Sequence, residues 1–444
     1  MDKKTILEKV REDKVAFIDV QFTDFFGTLK STTIPVNKLG EALDHGVWFD
    51  GSSVQGFTRI FESDMYLMPD LSTYAVIPWQ NDGRKSARFI ADVYTVDGKP
   101  FEGDPRYILK KALLEARELG FQYFVGPELE FFLFPLTETG EINFSSKGNR
   151  SYFKASLNDT YAIRQEITKA LAKFGIEVEM AHTEVADNQH EIDFKYDVAL
   201  KTADNALTFK FVTKHIARKM GYHATFMPKP FFGINGSGMH VHQSLFDLEG
   251  QTNLFSNVSD PYGLSQTAYH FIAGQLKYIR EIVALTSPTV NSYKRLTPGY
   301  EAPVYICWAR RNRSAMIRVP SIFAGREKST RAELRCPDPS SNPYLTFAAM
   351  LKSGLKGIKE KENPPMPVEE DVYEFDEEKL REFYIHKLPG SLKEALDLYG
   401  DSFLARQIMG ERTHKLYLEA KMQEWDLYRL HVTDWELERY LETL

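Results

Sequence analysis

The chain has 444 residues, enough for about two or three domains with substantial cores. Its 62 acidic and 55 basic residues leave a net charge of −7; with no basic stripe or nucleic-acid motif this excludes a nucleic-acid binder, and no apolar run is long enough to span a bilayer. Cys307 and Cys336 are too few for a disulfide framework and lack metal-type spacing, so they read as structural thiols of a reducing, cytoplasmic compartment.

The opening MDKKTILEKVREDKV has a charged helical pattern without the apolar stretch of a secretory signal. VAFIDVQFTDFFGTLKSTTIPV reads as two strands about a turn at Gly27, and KSARFIADVYTVDGKPF as a strand ending at Asp97-Gly98. A small mixed β domain over residues 1–103 is expected. At Asp104 a cap followed by Pro105 starts a helix, and a second domain is expected over residues 104–444.

In GPELEFFLF, residues 126–134, Glu128 and Glu130 lie two apart and share a strand face, with Leu129, Phe131 and Leu133 opposite. TYAIRQEITKALAKFG reads as a helix. Glu184 and Glu191 flank VADNQH and HEIDF, where a hairpin returns both carboxylates to one region. A second helix is read in NALTFKFVTKHIARKMG. In GMHVHQSLF, His240, His242 and Ser244 share a face opposite Met239, Val241 and Leu245; in STRAELR, Arg331, Glu333 and Arg335 share one opposite Ala332 and Leu334. KENPPMPVEEDVYEFDEE reads as a surface excursion, and the roughly eighty C-terminal residues as helical, with an amphipathic run through RTHKLYLEAKMQEWDLYRL.

Strands that are apolar on one side and bear ligand-type groups on the other point to a cage of Glu128, Glu130, Glu184, Glu191, His240 and Glu333. Oxygen-rich ligation with a single imidazole favours Mg²⁺ or Mn²⁺ over zinc. Lys294, Arg295, Arg313, Arg318, Lys328, Arg331 and Arg335 crowd the same part of the chain, and guanidinium forks match carboxylate and phosphate, so the substrate is read as anionic with a phosphate. GxxxxGK[ST] and GxGxxG loops are absent, leaving metals and arginines to hold the phosphates and stabilise a transferring phosphoryl group. The glycines of NGSGMH allow close backbone approach to a ligand.

FDGSS at 49–53 followed by ESDMYL, KPFFGINGSGMHVHQS at 229–244, NSYKRLTPGYEAP at 291–303 and RAELRCPDPSSNPYL at 331–345 carry a family resemblance. Over essentially its whole length the chain resembles bacterial glutamine synthetase in its shorter type I form, the Gram-positive-like, non-adenylylated one. The resemblance implies an α+β fold: an N-terminal β-grasp domain, then a larger α/β catalytic domain with a curved antiparallel sheet. It implies ATP-dependent synthesis of glutamine from glutamate and ammonia, a function in nitrogen metabolism, and a dodecamer of two hexameric rings with active sites shared between neighbours.

The resemblance also distributes roles. Glu130, Glu184 and Glu191 would hold the metal nearer glutamate, and Glu128, His240 and Glu333 the metal bridging the ATP phosphates. Asn235, Gly236, Arg295 and Arg335 match glutamate-binding positions; His242, Ser244, Arg318, Lys328 and Arg331 match nucleotide positions. Arg313 resembles the residue that stabilises the transferring phosphoryl group. Asp50, reaching in from the next subunit, resembles the acid that binds and deprotonates ammonium, and Glu301 the residue of a closing flap. Arg59 and Glu424 match positions linked to feedback inhibition by glutamine, and transcription regulators of the MerR type are partners of this form.

Thr183 stands where relatives commonly carry His, and Asn188 where they carry glycine; asparagine tolerates a left-handed backbone, so the turn is expected to form. YIHKLPGSLKEAL is too short for the adenylylated loop of the long forms, which makes Tyr384 a surface or packing tyrosine. Two rival readings are a γ-glutamyl ligase for polyamines or other amines and a non-catalytic regulatory descendant. Asp50 within DGSS points to ammonia, and the six ligands with their arginines point to catalysis.

Overall fold

The computed structural model describes residues 2–54, 64–79, 84–144, 152–153, 159–322 and 325–444. Alternating apolar residues build the first sheet. β1 (Phe17–Thr23) turns at Gly27, φ 81°, into antiparallel β2 (Leu29–Pro35), a left-handed backbone that glycine adopts freely. β3 (Val47–Asp50), β4 (Asp64–Pro69), β5 (Ala75–Val76) and β6 (Ser86–Thr95) complete six strands in the order β2-β1-β6-β4-β3, with β5 on β6. Ile18, Val20, Leu67, Phe89 and Val93 pack there against Ile6 and Val10 of the helix Lys3–Glu12.

Asp104 caps the helix Pro105–Glu118, its side chain accepting from the Arg106 N–H, with proline in the first turn. This helix leads into the second sheet. Its strands are β7 (Gln122–Pro135), β8 (Val178–Thr183), β9 (Gln189–Phe194), β10 (Asp197–Val198), β11 (Tyr222–Thr225), β12 (Met239–Phe246), β13 (Tyr305–Ala309), β14 (Ala315–Arg318), β15 (Ala332–Leu334) and β16 (His386–Lys387). The order is β16-β13-β14-β15-β12-β7-β9-β8, with β10 and β11 also on β7; only β13 and β14 pair in parallel among these.

The apolar faces read from the sequence lie in the core. Leu129, Phe131, Leu133, Met239, Val241, Leu245, Ala332 and Leu334 join one cluster with Phe209 of the helix Ala199–Lys219, Ile279 of the helix Gln266–Thr286 and Leu351 of the helix Pro343–Glu360. Burying each large side chain contributes about 1.5–3 kcal/mol. The helices Gln266–Thr286 and Pro343–Glu360 touch through glycine: a Cβ on Gly274 would stand 2.3 Å from the Ser353 carbonyl oxygen and 2.7 Å from the Gly357 nitrogen. The ligand-bearing faces are left pointing away from this helical layer.

Buried Arg106 ties the first sheet to the helix Ala199–Lys219. It donates to Asp92 at 2.6 Å and Asp70 at 2.7 Å on the first, and to Asp204 at 3.1 and 3.0 Å in the helix Ala199–Lys219; Tyr344 adds a bond to Asp204 at 2.6 Å. Breaking a buried network of this kind costs more than its net contribution to stability.

Two expectations need revision. The helix read from NALTFKFVTKHIARKMG begins six residues earlier, at Ala199. The proline- and acid-rich segment is more than a surface excursion: Val368, Val372 and Phe375 are buried, and Trp308 Nε1 donates to the Pro365 carbonyl at 2.7 Å. Its apolar residues anchor it to the core while its charges stay in water. The C-terminal amphipathic run forms the helix Glu411–Arg429. Burial pushes both free cysteine thiols up to about 12, consistent with structural roles. Among the described residues no helix is long and apolar enough to cross a membrane.

Candidate active site

Cross-strand register assembles the polar face. Glu128 of β7 stands opposite His240 on β12 and opposite Asp193 on β9; Glu130 stands opposite Glu191, and Glu333 of β15 opposite both His242 and Arg318. Directly paired residues project to one side of a sheet. Side chains more than a hundred positions apart in sequence therefore meet.

Two ligand clusters result. Donor atoms of Glu128, His240 and Glu333 all lie within 4.8 Å of one another, as do those of His182, Glu184 and Glu191. His240 Nδ1 is 3.3 Å from Glu128 and 3.8 Å from Glu333; the two ring nitrogens of His182 are 3.3 Å from Glu184 and 3.4 Å from Glu191. By the family resemblance, Glu130 groups with Glu184 and Glu191. It lines the same cavity, where its Oε2 accepts from Gln189 Nε2 at 2.7 Å and from the Gly238 N–H at 3.1 Å, and His182 completes the close trio.

The electrostatics of the clusters differ. Burial, then the negative charge of neighbouring carboxylates, raises the pKa of Glu130 and of Glu191; burial raises Glu184 and Asp193 as well. Burial acts the same way on Glu128 and Glu333, but the imidazoles His242 and His240 beside them, joined by Arg335 at Glu333, together outweigh it and hold both below the usual carboxylate range. Glu333, 1% exposed, also receives Arg318 at 2.8 Å and Arg335 at 3.0 Å. Burial, then Arg335, lowers His240, which keeps its ring neutral and able to offer a lone pair.

Both clusters face a cavity of about 300 Å³, whose wall also includes Asn235, Gly236, Arg295, Glu301, Arg313, Arg318 and Arg335. A second cavity of about 410 Å³ is lined by His242, Ser244, Lys328, Arg331 and Asp193. Glu128 and Met180 border both. Arg295 is pinned by three carbonyls, donating to Cys336 at 2.8 Å, Pro337 at 3.2 Å and Arg335 at 3.0 Å. The glycines beside it are sterically required: a Cβ at Gly236 would lie 2.2 Å from the Pro228 carbonyl oxygen, and one at Gly238 2.6 Å from the Arg295 guanidinium. Glu301 holds a left-handed backbone, φ 56°, and accepts from Asn235 at 3.4 Å.

Asp50 is placed elsewhere. It ends β3 on the first sheet, exposed, accepting from the Ser52 N–H at 2.9 Å, the Ser52 hydroxyl at 2.6 Å and the Ser53 hydroxyl at 3.1 Å, with the Ser52 hydroxyl first among the causes that lower its pKa. It lines neither cavity of this chain. Glu424 lines a separate cavity of about 510 Å³ with Phe25, Phe26 and Lys421; it accepts from Lys421 at 2.7 Å and from the Val290 N–H at 3.3 Å. Arg59 lies outside the described residues. Asn188 takes up the left-handed turn with φ 62°, and Tyr384 is 84% exposed.

His182, Gln189 and Asp193 were missed in the sequence. Their signal was there: His182 is two residues from Glu184, and Gln189, Glu191 and Asp193 alternate along β9.

Residues 14–96 match the family model "Glutamine synthetase, beta-Grasp domain", and residues 102–440 match "Glutamine synthetase, catalytic domain". The chain belongs to the glutamine synthetase family. Glutamine synthetase of Thermotoga maritima is 51% identical over 442 residues, covering 99% of this chain and 100% of that protein. Glutamine synthetase of Staphylococcus aureus strain N315 is 47% identical over 442 residues, covering 99% and 98%. The solved structure "GmaS/ADP complex-Conformation 1" superposes with a TM-score of 0.89 at 29% identity, covering 98% of this chain and 99% of that one. The six-stranded sheet falls within the β-grasp match and the ten-stranded, curled sheet within the glutamine synthetase catalytic match, in the order expected from the sequence.

Proposed function

We propose that the two adjoining cavities join ammonia to the γ-carboxylate of L-glutamate at the expense of ATP, passing through γ-glutamyl phosphate to L-glutamine, ADP and phosphate. The chain is thus a glutamate–ammonia ligase, with ATP, glutamate and ammonia as substrates and divalent metals as cofactors. One observation carries the reading of the site: Glu128 borders both cavities, with arginines on either side of it.

The donor sets fit hard cations, carboxylate oxygens dominating with one imidazole in each cluster. Glu130, Glu184 and Glu191, with His182 beside them, would hold one Mg²⁺ or Mn²⁺, and Glu128, His240 and Glu333 another. Bound there, the ions supply charge that offsets the phosphate oxygens.

A carboxylate is a poor acyl donor, because its leaving group would be oxide. A γ-carboxylate oxygen of glutamate therefore first attacks the terminal phosphorus of ATP, and the bond to ADP breaks. Arg295 and Arg335, with Asn235 and Gly236, orient glutamate for that attack. His242, Ser244, Lys328 and Arg331, which line the larger of the two cavities, hold the nucleotide together with Arg318 on the wall of the other. Arg313 meets the charge of the transferring group. Ammonium has no lone pair, so Asp50 of a neighbouring subunit attracts the cation and takes a proton, aided by Glu301. Ammonia attacks the γ-carbonyl carbon, and phosphate leaves. The segment 297–301 closes the site against water meanwhile.

This scheme needs an oligomer, and a dodecamer of two hexameric rings supplies the neighbour. The domain boundary is placed at residues 103 and 104, and the enzyme in the cytoplasm. Feedback by glutamine acts through Arg59 and Glu424, and MerR-type transcription regulators are partners. Mixing subunits tests the shared site: Asp50→Ala and Glu333→Gln proteins, each inactive alone, regain activity when reassembled together, and no recovery in mixed assemblies rules the sharing out.

A further inference from the structure

Lys229 opens the KPFFGINGSG segment, is 7% exposed, and serves none of the roles above. Its backbone is fixed first. Its N–H donates to Asn291 Oδ1 at 2.7 Å and its carbonyl accepts from Asn291 Nδ2 at 3.0 Å, which ties it to the segment that carries Arg295.

The side chain then bridges two parts of the cavity wall. Nζ donates to the carbonyl of Ile234, the residue before Asn235, and stands 3.9 Å from the centroid of the Tyr300 ring. Tyr300 precedes Glu301, whose carboxylate receives Asn235. The ammonium therefore sits between the loop that presents Asn235 and Gly236 and the tip of the flap. Among the described residues no carboxylate pairs with it, so the ring's negative face is its electrostatic partner, an attraction that strengthens when the cation is desolvated. A compact ammonium with three donors can serve a carbonyl and a ring at once. The flap needs such a hold at Glu301, whose φ of 56° lies in the left-handed region, where a glutamate stays only when its surroundings fix it.

We propose that Lys229 is a positioning residue that latches the flap to the glutamate loop and thereby keeps water from the acyl phosphate until ammonia arrives. The inference rests on the reading of the site as an acyl-phosphate-forming ligase. With the latch lost, water attacks the γ-carbonyl carbon instead of ammonia, the carbon–oxygen bond to phosphate breaks, and glutamate and phosphate are released. The net result is hydrolysis of ATP without amide formation.

The experiment measures phosphate released per glutamine formed, together with the KM for glutamate, on the assembled enzyme. Wild type gives a ratio of one. Lys229→Met, which keeps the stem and removes the charge, raises the ratio several-fold at low ammonium and raises the KM for glutamate, whereas Lys229→Arg and Tyr300→Phe keep the ratio near one. A residue that only supports the fold lowers both products together, so a ratio of one in assembled Lys229→Met overturns the latch. Should Lys229→Met fail to assemble, Tyr300→Leu carries the test: a raised ratio supports the latch and a ratio of one overturns it. Wild-type phosphate release that ignores ammonium overturns the latch together with the reading of the site beneath it, and is told apart by occurring in the unsubstituted protein.

Discussion

His242 donates from Nε2 to Glu128 at 2.6 Å while its Nδ1 lies 3.1 Å from Arg331 Nε. An arginine can only donate, so Nδ1 is the acceptor and the proton sits on Nε2. One imidazole thus joins the nucleotide-side arginine to the carboxylate shared by both cavities. His242→Phe removes that link and leaves Glu128 to be oriented by His240 alone. The expected outcome is a loss of about 10–100-fold in apparent metal affinity, the range seen when a ligand's hydrogen-bond partner is removed. Metal-dependence curves of phosphate release measure it.

Glu333 is a harsher position. Glu333→Ala is expected to abolish metal-dependent turnover, but it also strips Arg318 and Arg335 of their common buried partner, which destabilises the fold. Glu333→Gln keeps the volume and one acceptor oxygen. Turnover is expected to fall by more than about 100-fold, beyond the cost of an outer partner, with assembly intact on size-exclusion chromatography. Near-normal turnover removes Glu333 from the ligand set.

Proton release should accompany metal binding. Burial and neighbouring carboxylates push Glu130 up to about 8 and Glu191 up to about 10, so these two retain protons that ligation must displace, and affinity for Mg²⁺ rises with pH. Calorimetry near neutral pH in two buffers of different ionisation heat counts these protons. The same groups fix a stability trend. An acid whose pKa is raised by folding contributes stability that is present at low pH and lost as pH rises through the raised value. Metal-free protein therefore melts lower at about pH 8 than at about pH 6, and Mg²⁺ narrows the difference. Glu128 and Glu333 act oppositely, their contribution vanishing only in acid as the pH falls through their lowered values.

Gly274→Ala tests the helical layer. The added methyl meets the Ser353 carbonyl oxygen at 2.3 Å, and both helices must part. A destabilisation of about 1–3 kcal/mol is expected, seen as a lower thermal midpoint with activity per assembled enzyme retained at permissive temperature.

What the sequence disclosed and withheld follows from how far each signal reaches. Alternation is local, so Glu128 with Glu130, and His240 with His242, were readable as faces of single strands. Register is not local: that Asp193 stands opposite Glu128 depends on pairing β7 with β9, and nothing within either strand states it. His182 stands opposite Glu191 through the pairing of β8 with β9, which is likewise stated by neither strand. Lys229 carries no local signal, since lysines are mostly exposed and Tyr300 lies seventy-one positions away. Val368, Val372 and Phe375 were masked by the acidic and proline residues around them, although a few apolar anchors suffice to hold a segment on a core.

The most direct test supplies the assembled enzyme with ATP, glutamate and Mg²⁺ and follows phosphate and glutamine as ammonium is titrated. Phosphate and glutamine should appear together, one for one, in proportion to ammonium occupancy, and added glutamine should then suppress both. Phosphate release indifferent to ammonium, or responsive only to polyamines, would contradict the assignment.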